Sequence, residues 1–232
     1  MPNIHMNPIL TFTIGVSIIG LLITLMLTLN PPIIHEDFFW RKPFIGSIFT
    51  LICILGIFAT LFPKQCSEAF HFQKKGDNTL PQTLSPVLKG HHPDCEKFST
   101  HVIHVSKYSL CATCTGLLLG AIIALSGAAS YFFAEWNIEG MGFQPVFIGI
   151  VLIILGFLQF KFRGLIRVVL NTLFVAGALL ILVGIDKLTQ SLFIDLFLIT
   201  LIIFWLNTKI LISQQNHWGI CYSCEHPCKL YE

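Results

Sequence analysis

The sequence predicts an all-α fold: a polytopic membrane bundle of about six helices, with a small Cys/His-rich loop and tail outside the lipid. Three observations predict it. Charged residues make up 11% of the 232 and hydrophobic ones 54%, whereas an ordinary soluble domain carries roughly 25% charged residues. Mean hydropathy is +0.77. The apolar residues are also gathered into stretches near the ~20 residues that cross a bilayer. A net charge of +2 with no basic stripe among aromatic residues gives no footprint for nucleic acid.

The first 63 residues form a two-helix membrane hairpin. Its spans are Ile9–Leu29, closed by Asn30-Pro31-Pro32, and Phe44–Phe62, closed by Pro63, since proline cannot continue a helix. No Lys or Arg precedes the first span and no small-residue cleavage site follows it. It is therefore expected to be retained rather than removed as a signal peptide.

A loop over 64–109 comes next. Lys64–Pro86 is polar and irregular; from Gly90 the composition changes to GHHPDCEKFSTHVIHVSKYSLC. His101-Val-Ile-His104-Val and Tyr108-Ser-Leu, on either side of Ser106-Lys107, predict a short hairpin. In a strand His101 and His104 face opposite ways, and in a helix they share a face.

Residues 110–212 hold the other four spans. Leu110–Phe133 opens with Cys111-Ala-Thr-Cys114 and carries Gly116, Gly120, Ala124 and Ala128 at every fourth position. Such a stripe lets another helix approach closely. It serves packing within the chain or a homo- or hetero-oligomer through Gly116, Gly120 and Ala124. Val146–Phe160 is short and must recruit Gln144-Pro145, tilt little or thin the bilayer. Leu165–Ile185 and Leu192–Ile212 complete the set. Ionisable residues inside the spans are scarce, with Asp186 and Lys187 at a turn and Asp195 one turn into the last span. That scarcity argues against a proton-coupled transporter. Gln159, Asn171, Thr172 and Asn207 are available for hydrogen bonds between helices.

The tail, 213–232, carries Cys221-Tyr-Ser-Cys224-Glu-His226-Pro-Cys228. With six spans, 11 of the 14 Lys and Arg fall on the side that holds the termini, which the positive-inside rule makes cytoplasmic. The expectation is a multi-pass protein of the cell (inner) membrane with both termini inside. Both Cys/His clusters then lie on the reducing face, where thiols stay free unless they bind metal or do redox chemistry.

Two cysteines separated by two residues turn both sulfurs onto one metal or form a redox pair. The candidate metal ligands are Cys95, Cys111, Cys114, Cys221, Cys224, Cys228, His92, His101 and His226. Cys111/Cys114 and Cys221/Cys224 can share one zinc. Alternatively the loop (Cys95, Cys111, Cys114 and a His) and the tail (Cys221, Cys224, Cys228 with His217 or His226) each hold an ion. An iron–sulfur cluster is the alternative cofactor. The leading expectation is a zinc site that is mainly structural, tying a polar loop onto the bundle. The alternatives are thiol or iron–sulfur redox chemistry, and metal-ion sensing or transport. No catalytic residue stands out. Only Asp94 or Glu96 offers a base for hydrolysis, and no Walker loop, nucleophile elbow, HExxH or dinucleotide fingerprint is present.

Cys95-Glu-Lys-Phe98 followed by Leu110-Cys111-Ala-Thr-Cys114-Thr115-Gly116 and Gly120 resembles domain-of-unknown-function family 2085, a group of prokaryotic predicted membrane proteins. The resemblance runs over about Gly90 to Ala178. It extends weakly to Gln159, Arg163, Arg167, Asn171 and Gly177, which look like that family's later polar segment. Many members carry Arg between the paired cysteines where this chain has Thr113, and the cysteine tail lies outside the family pattern. The resemblance implies the membrane architecture and supplies no activity.

Overall fold

The computed structural model describes residues 8–32, 39–61, 102–105, 108–134 and 142–222. Among them the chain is an all-α bundle with one small hairpin. In order the elements are α1 (Pro8–Leu29), α2 (Arg41–Leu61), β1 (Val102–Val105), β2 (Tyr108–Cys111), α3 (Ala112–Ala128), α4 (Gln144–Phe157), α5 (Gly164–Thr189) and α6 (Leu192–Tyr222). A π turn over Ala129–Phe133 prolongs α3 and a 3-10 turn over Leu158–Lys161 prolongs α4. Five of the helices are long and apolar enough to cross a membrane. The exception is α4, which begins at Gln144 and so takes in Gln144-Pro145, and at ~1.5 Å per residue is short of a ~30 Å hydrocarbon core.

The expected hairpin is present. β1 and β2 pair antiparallel with Ile103 opposite Leu110 and Val102 opposite Cys111. The chain passes straight from β2 into α3 at Cys111, so the strand delivers that cysteine to the helix N-cap.

Burial makes α5 the central helix: 67% of its span lies inside the bundle, against 22% of α2. The reason is composition. α4 offers Gly149 and Gly156 to α5, α3 offers Gly116 and Gly120, and each removes a side chain where two backbones meet. A Cβ on Gly116 would stand 2.4 Å from the Val168 carbonyl oxygen, and one on Gly149 would stand 2.7 Å from that of Gly177. Thr172 Oγ1 closes the α3 crossing by donating to the Gly116 carbonyl at 3.0 Å. Ala124 and Ala128 are fully buried on the same side. That packing takes up, within one chain, the face that the sequence offered to an oligomeric partner.

The core joins Phe49, Phe132, Phe174, Ile181, Leu198 and Trp205 across α2 to α6. α1 docks onto α6, where Ser17 Oγ bonds Thr208 at 3.0 Å and the Trp205 indole donates to the Ser17 carbonyl at 3.3 Å. Large apolar side chains cover the outside, among them Phe12, Leu165 and Phe193. Such a surface is a poor match for water and a good one for lipid tails. Of the polar residues expected to bond between helices, Thr172 does so, Asn171 donates to its own helix at Arg167 O, and Asn207 is exposed.

Candidate thiol site and the polar cluster behind it

One end of the bundle carries the start of α3, the 3-10 turn after α4, the start of α5 and the last turns of α6. Cys111 is the N-cap of α3 and Cys114 lies in its first turn, three residues on. At that spacing the two sulfurs share the open end of the helix, where the first N–H groups have no partner within the helix. Cys111 sits at that open end, where the unpaired amides and the positive end of the helix dipole favour a negative sulfur. The hydrogen bond with the Cys114 side chain lowers the Cys111 thiol from its ordinary value, against the desolvation that would raise it. The backbone N–H groups of Cys114 and Thr113 and the Arg167 guanidinium add to that lowering. Both cysteines are free and half-buried. Two thiols thus share the first turn of α3 at one end of the bundle.

Behind the pair lies a line of buried polar side chains. Arg167, Asn171 and Phe174 follow one another at helical spacing on one face of α5. Arg167 is 2% exposed and Asn171 fully buried. The Asn171 amide donates to the Arg167 carbonyl at 2.6 Å, and its own oxygen has no partner among the described residues. Lys209, on α6, is 2% exposed and holds its ammonium 3.9 Å over the Phe174 ring centre. Gln159 is fully buried in the 3-10 turn, and neither its amide nitrogen nor its amide oxygen finds a partner among the described residues.

The opposite end holds a second polar network. Arg41 Nη1 bonds Asp186 Oδ1 and Asp195 Oδ2, and Tyr131 Oη donates to Asp186 Oδ2 at 2.7 Å. All four residues are nearly or wholly excluded from solvent. A two-residue link, with Gln190 in the left-handed conformation at φ 47°, reverses the chain between α5 and α6 and so brings the two aspartates together. The π turn, marked by the Ala134 N–H bonding Ala129 O at 3.1 Å, ends α3 with Tyr131 and Phe132 buried and Phe133 exposed. Lys42 lies 5.0 Å over the Tyr131 ring.

Among the expected ligands, Cys111 and Cys114 are brought together, and the backbone of Cys221 lies in the last turn of α6 at their end of the bundle. Cys95, His92, His101, Cys224, His226 and Cys228 lie outside the described residues. Among the described residues no group of three His, Cys, Asp or Glu side chains comes together to hold a metal.

The expectation of a charge-poor membrane interior needs correcting. Arg41, Arg167, Asp186, Asp195 and Lys209 are all buried in the bundle. Arg41 is the first residue of α2, Arg167 lies in the first turn of α5, and Lys209 lies inside α6, which runs on to Tyr222. The signal that could have found Lys209 is a single cation inside an apolar run, which marks a functional position by default.

No family model, no curated protein and no solved structure matches the chain. The resemblance to family 2085 therefore rests on its motif alone.

Proposed function

We propose that this is a multi-pass protein of the cell (inner) membrane, with both termini cytoplasmic, whose Cys111/Cys114 pair is a thiol–disulfide redox centre at the membrane surface. The observation that carries the reading is the placement of Cys111 at the N-cap of α3 and of Cys114 in its first turn, at the open end of the helix. Helix N-termini and neighbouring cations are the settings that make a Cys-x-x-Cys thiol reactive. The orientation rests on the Lys and Arg distribution. Leaving out the buried Arg41, Arg167 and Lys209 keeps it as one-sided as before.

The step runs as follows. The Cys111 thiolate attacks one sulfur of a protein or small-molecule disulfide, forming a mixed disulfide and expelling the other sulfur as a thiolate. Cys114 gives up its proton and attacks Cys111, closing the Cys111–Cys114 bond and releasing the second substrate thiolate. Two electrons pass to the substrate, whose sulfurs leave as two thiols once protonated. Arg167 offsets the charge on the attacking sulfur.

The test is equilibration of the protein, in lipid nanodiscs, with glutathione buffers of graded potential, followed by acid quench and mass spectrometry. A single two-electron transition confined to the peptide holding Cys111 and Cys114, and lost in Cys114→Ser, is expected. Thiols that stay reduced across the whole range would overturn it. Labelling single cysteines from each side of sealed vesicles tests the orientation.

A second reading, structural zinc, is favoured by the position of Cys221 in the last turn of α6, at the end that holds Cys111 and Cys114. Three thiolates plus one ligand from Cys95, Cys224, Cys228, His92, His101 or His226 meet the tetrahedral demand of zinc. Stoichiometric zinc in the purified protein, lost in both Cys114→Ser and Cys221→Ser, would establish it over the redox reading. An iron–sulfur cluster at the same ligands would absorb visible light, and metal-ion sensing or transport would need the metal to exchange.

A further inference from the structure

We infer that Asp195 is a proton-binding site: set beside Asp186 on a single guanidinium, it keeps its proton at neutral pH while Asp186 is ionised. The argument starts from charge. One nitrogen, Arg41 Nη1, bonds both Asp186 Oδ1 and Asp195 Oδ2. Those two oxygens therefore lie no further apart than two hydrogen bonds, about 6 Å. Both aspartates are fully buried. If both were ionised, the guanidinium would balance one and leave the other charge in surroundings that solvate it poorly. Two carboxylates that share such a site do not both ionise readily, and one proton between them removes the surplus charge.

The hydrogen bonds say which of the two holds it. Asp186 accepts at both oxygens, from Arg41 at Oδ1 and from Tyr131 at Oδ2, as suits a carboxylate that can only accept. Asp195 accepts from Arg41 at Oδ2, and its Oδ1 is buried with no partner among the described residues. Left ionised, that bare oxygen would carry charge with no donor facing it, the costliest way to bury a polar atom. Protonated, Asp195 is neutral, with Oδ2 as the carbonyl that faces Arg41. Oδ1 is also closed to water, so the ligand that fits is the one that needs no cavity.

The charged and titratable groups around the pair, besides Arg41, are Lys42 on α2, Tyr131 at the end of α3 and Lys187 on α5. Lys42 is half-buried and holds its ammonium 5.0 Å over the Tyr131 ring. Lys187 follows Asp186 and leaves the helix about 100° further round. With the proton bound, α2, α5 and α6 meet around one balanced ion pair; without it, they meet around a surplus negative charge.

This site is independent of the redox reading, because none of its atoms is a sulfur. The probe is the proton itself, read by infrared difference spectroscopy of the whole protein in nanodiscs of ether-linked phosphatidylcholine, which has no ester carbonyl to mask the signal. At neutral pH the C=O stretch of a protonated carboxyl is expected in the wild type, shifted in heavy water and absent from Asp195→Asn. Labelling aspartate with a heavy isotope at its side-chain carboxyl should shift the same band in the wild type, an assignment that holds even if the variant fails to fold. Unfolding in graded denaturing detergent gives a second reading. Folding that takes up one proton loses about tenfold in its equilibrium constant for each pH unit between about pH 5 and 7. The wild type should fall by that factor relative to Asp195→Asn, whose amide has no proton to release. Cys114→Ser should keep both the band and the pH slope even if that variant has no redox transition. No protonated-carboxyl band in the wild type, a band that survives in Asp195→Asn, or equal pH slopes in the two proteins would overturn the proposal.

Discussion

Cys111 differs from an ordinary thiol in a way that a pH series can read. Lowered by its hydrogen bond with Cys114, it is expected to carry more thiolate at neutral pH than a free cysteine with a pKa of ~8.5. Its alkylation by iodoacetamide should therefore rise at lower pH than that of a free cysteine. In Cys114→Ala the donor is gone and the inflection should move up towards the ordinary range. Site-resolved mass spectrometry checks both curves, and an unchanged inflection in the variant would reject the hydrogen bond as the cause. The sign for stability follows. A thiol that ionises more readily folded than unfolded stabilises the fold above the unfolded value, and loses that contribution as pH falls through its lowered folded value. This pair was legible in the sequence because Cys-x-x-Cys is a spacing, and spacing survives without coordinates. The burial of Lys209 and Gln159 was not legible. A lone Lys in an apolar run reads the same whether it reaches for the interface or points inward. In a helix that is apolar all round, the hydrophobic pattern does not say which face is inside.

At the scale of elements, the close crossings of α3 and α4 on α5 rest on glycine, and their loss can be graded. Gly149→Ala puts a methyl 2.7 Å from Gly177 O and Gly116→Ala puts one 2.4 Å from Val168 O. Neither carbonyl can move without shifting a helix, so each change should cost about 1–3 kcal/mol through overpacking. Gly15→Ala in α1 and Gly56→Ala in α2 meet nothing within 4 Å. They should be neutral or gain about 0.5–1 kcal/mol from the better helix former. Unfolding of the four variants side by side, by heat or in graded denaturing detergent, tests the contrast. Equal behaviour of the two pairs would remove the close-crossing argument. The small-residue stripe on α3 could be read in advance because it repeats every four residues. The pairing of Gly149 with Gly177 could not, because it arises only once α4 is laid antiparallel on α5. The same difference explains the oligomer expectation: the stripe predicts that some helix will approach, and only the fold says that the helix is α5 of the same chain.

For the whole molecule, the Arg41 network sets how the helices meet at the end away from the thiols. Arg41 on α2 ties to Asp186 at the end of α5 and to Asp195 at the start of α6, and Tyr131 brings in the end of α3. Two carboxylates on one guanidinium are tolerable out of water only while the cation is there. Arg41→Met should therefore cost about 3–5 kcal/mol, the range for removing one partner of a buried ion pair. Asp186→Asn should cost more than Asp195→Asn, because Asp186 accepts from both Arg41 and Tyr131 whereas Asp195 Oδ1 has no partner among the described residues. The decisive variant combines all three changes. If the network is a charge balance closed inside the bundle, Arg41→Met with Asp186→Asn and Asp195→Asn removes every charge at once. It should then recover most of what Arg41→Met alone loses. If Arg41 instead works as a geometric strut whose fork holds three helices at fixed spacing, neutralising the aspartates restores nothing and the three losses add. Thermal unfolding in nanodiscs of wild type, Arg41→Met and the triple variant separates the two. Recovery in the triple variant is the expected result, since buried ion pairs are commonly replaceable by neutral groups of similar volume at little cost.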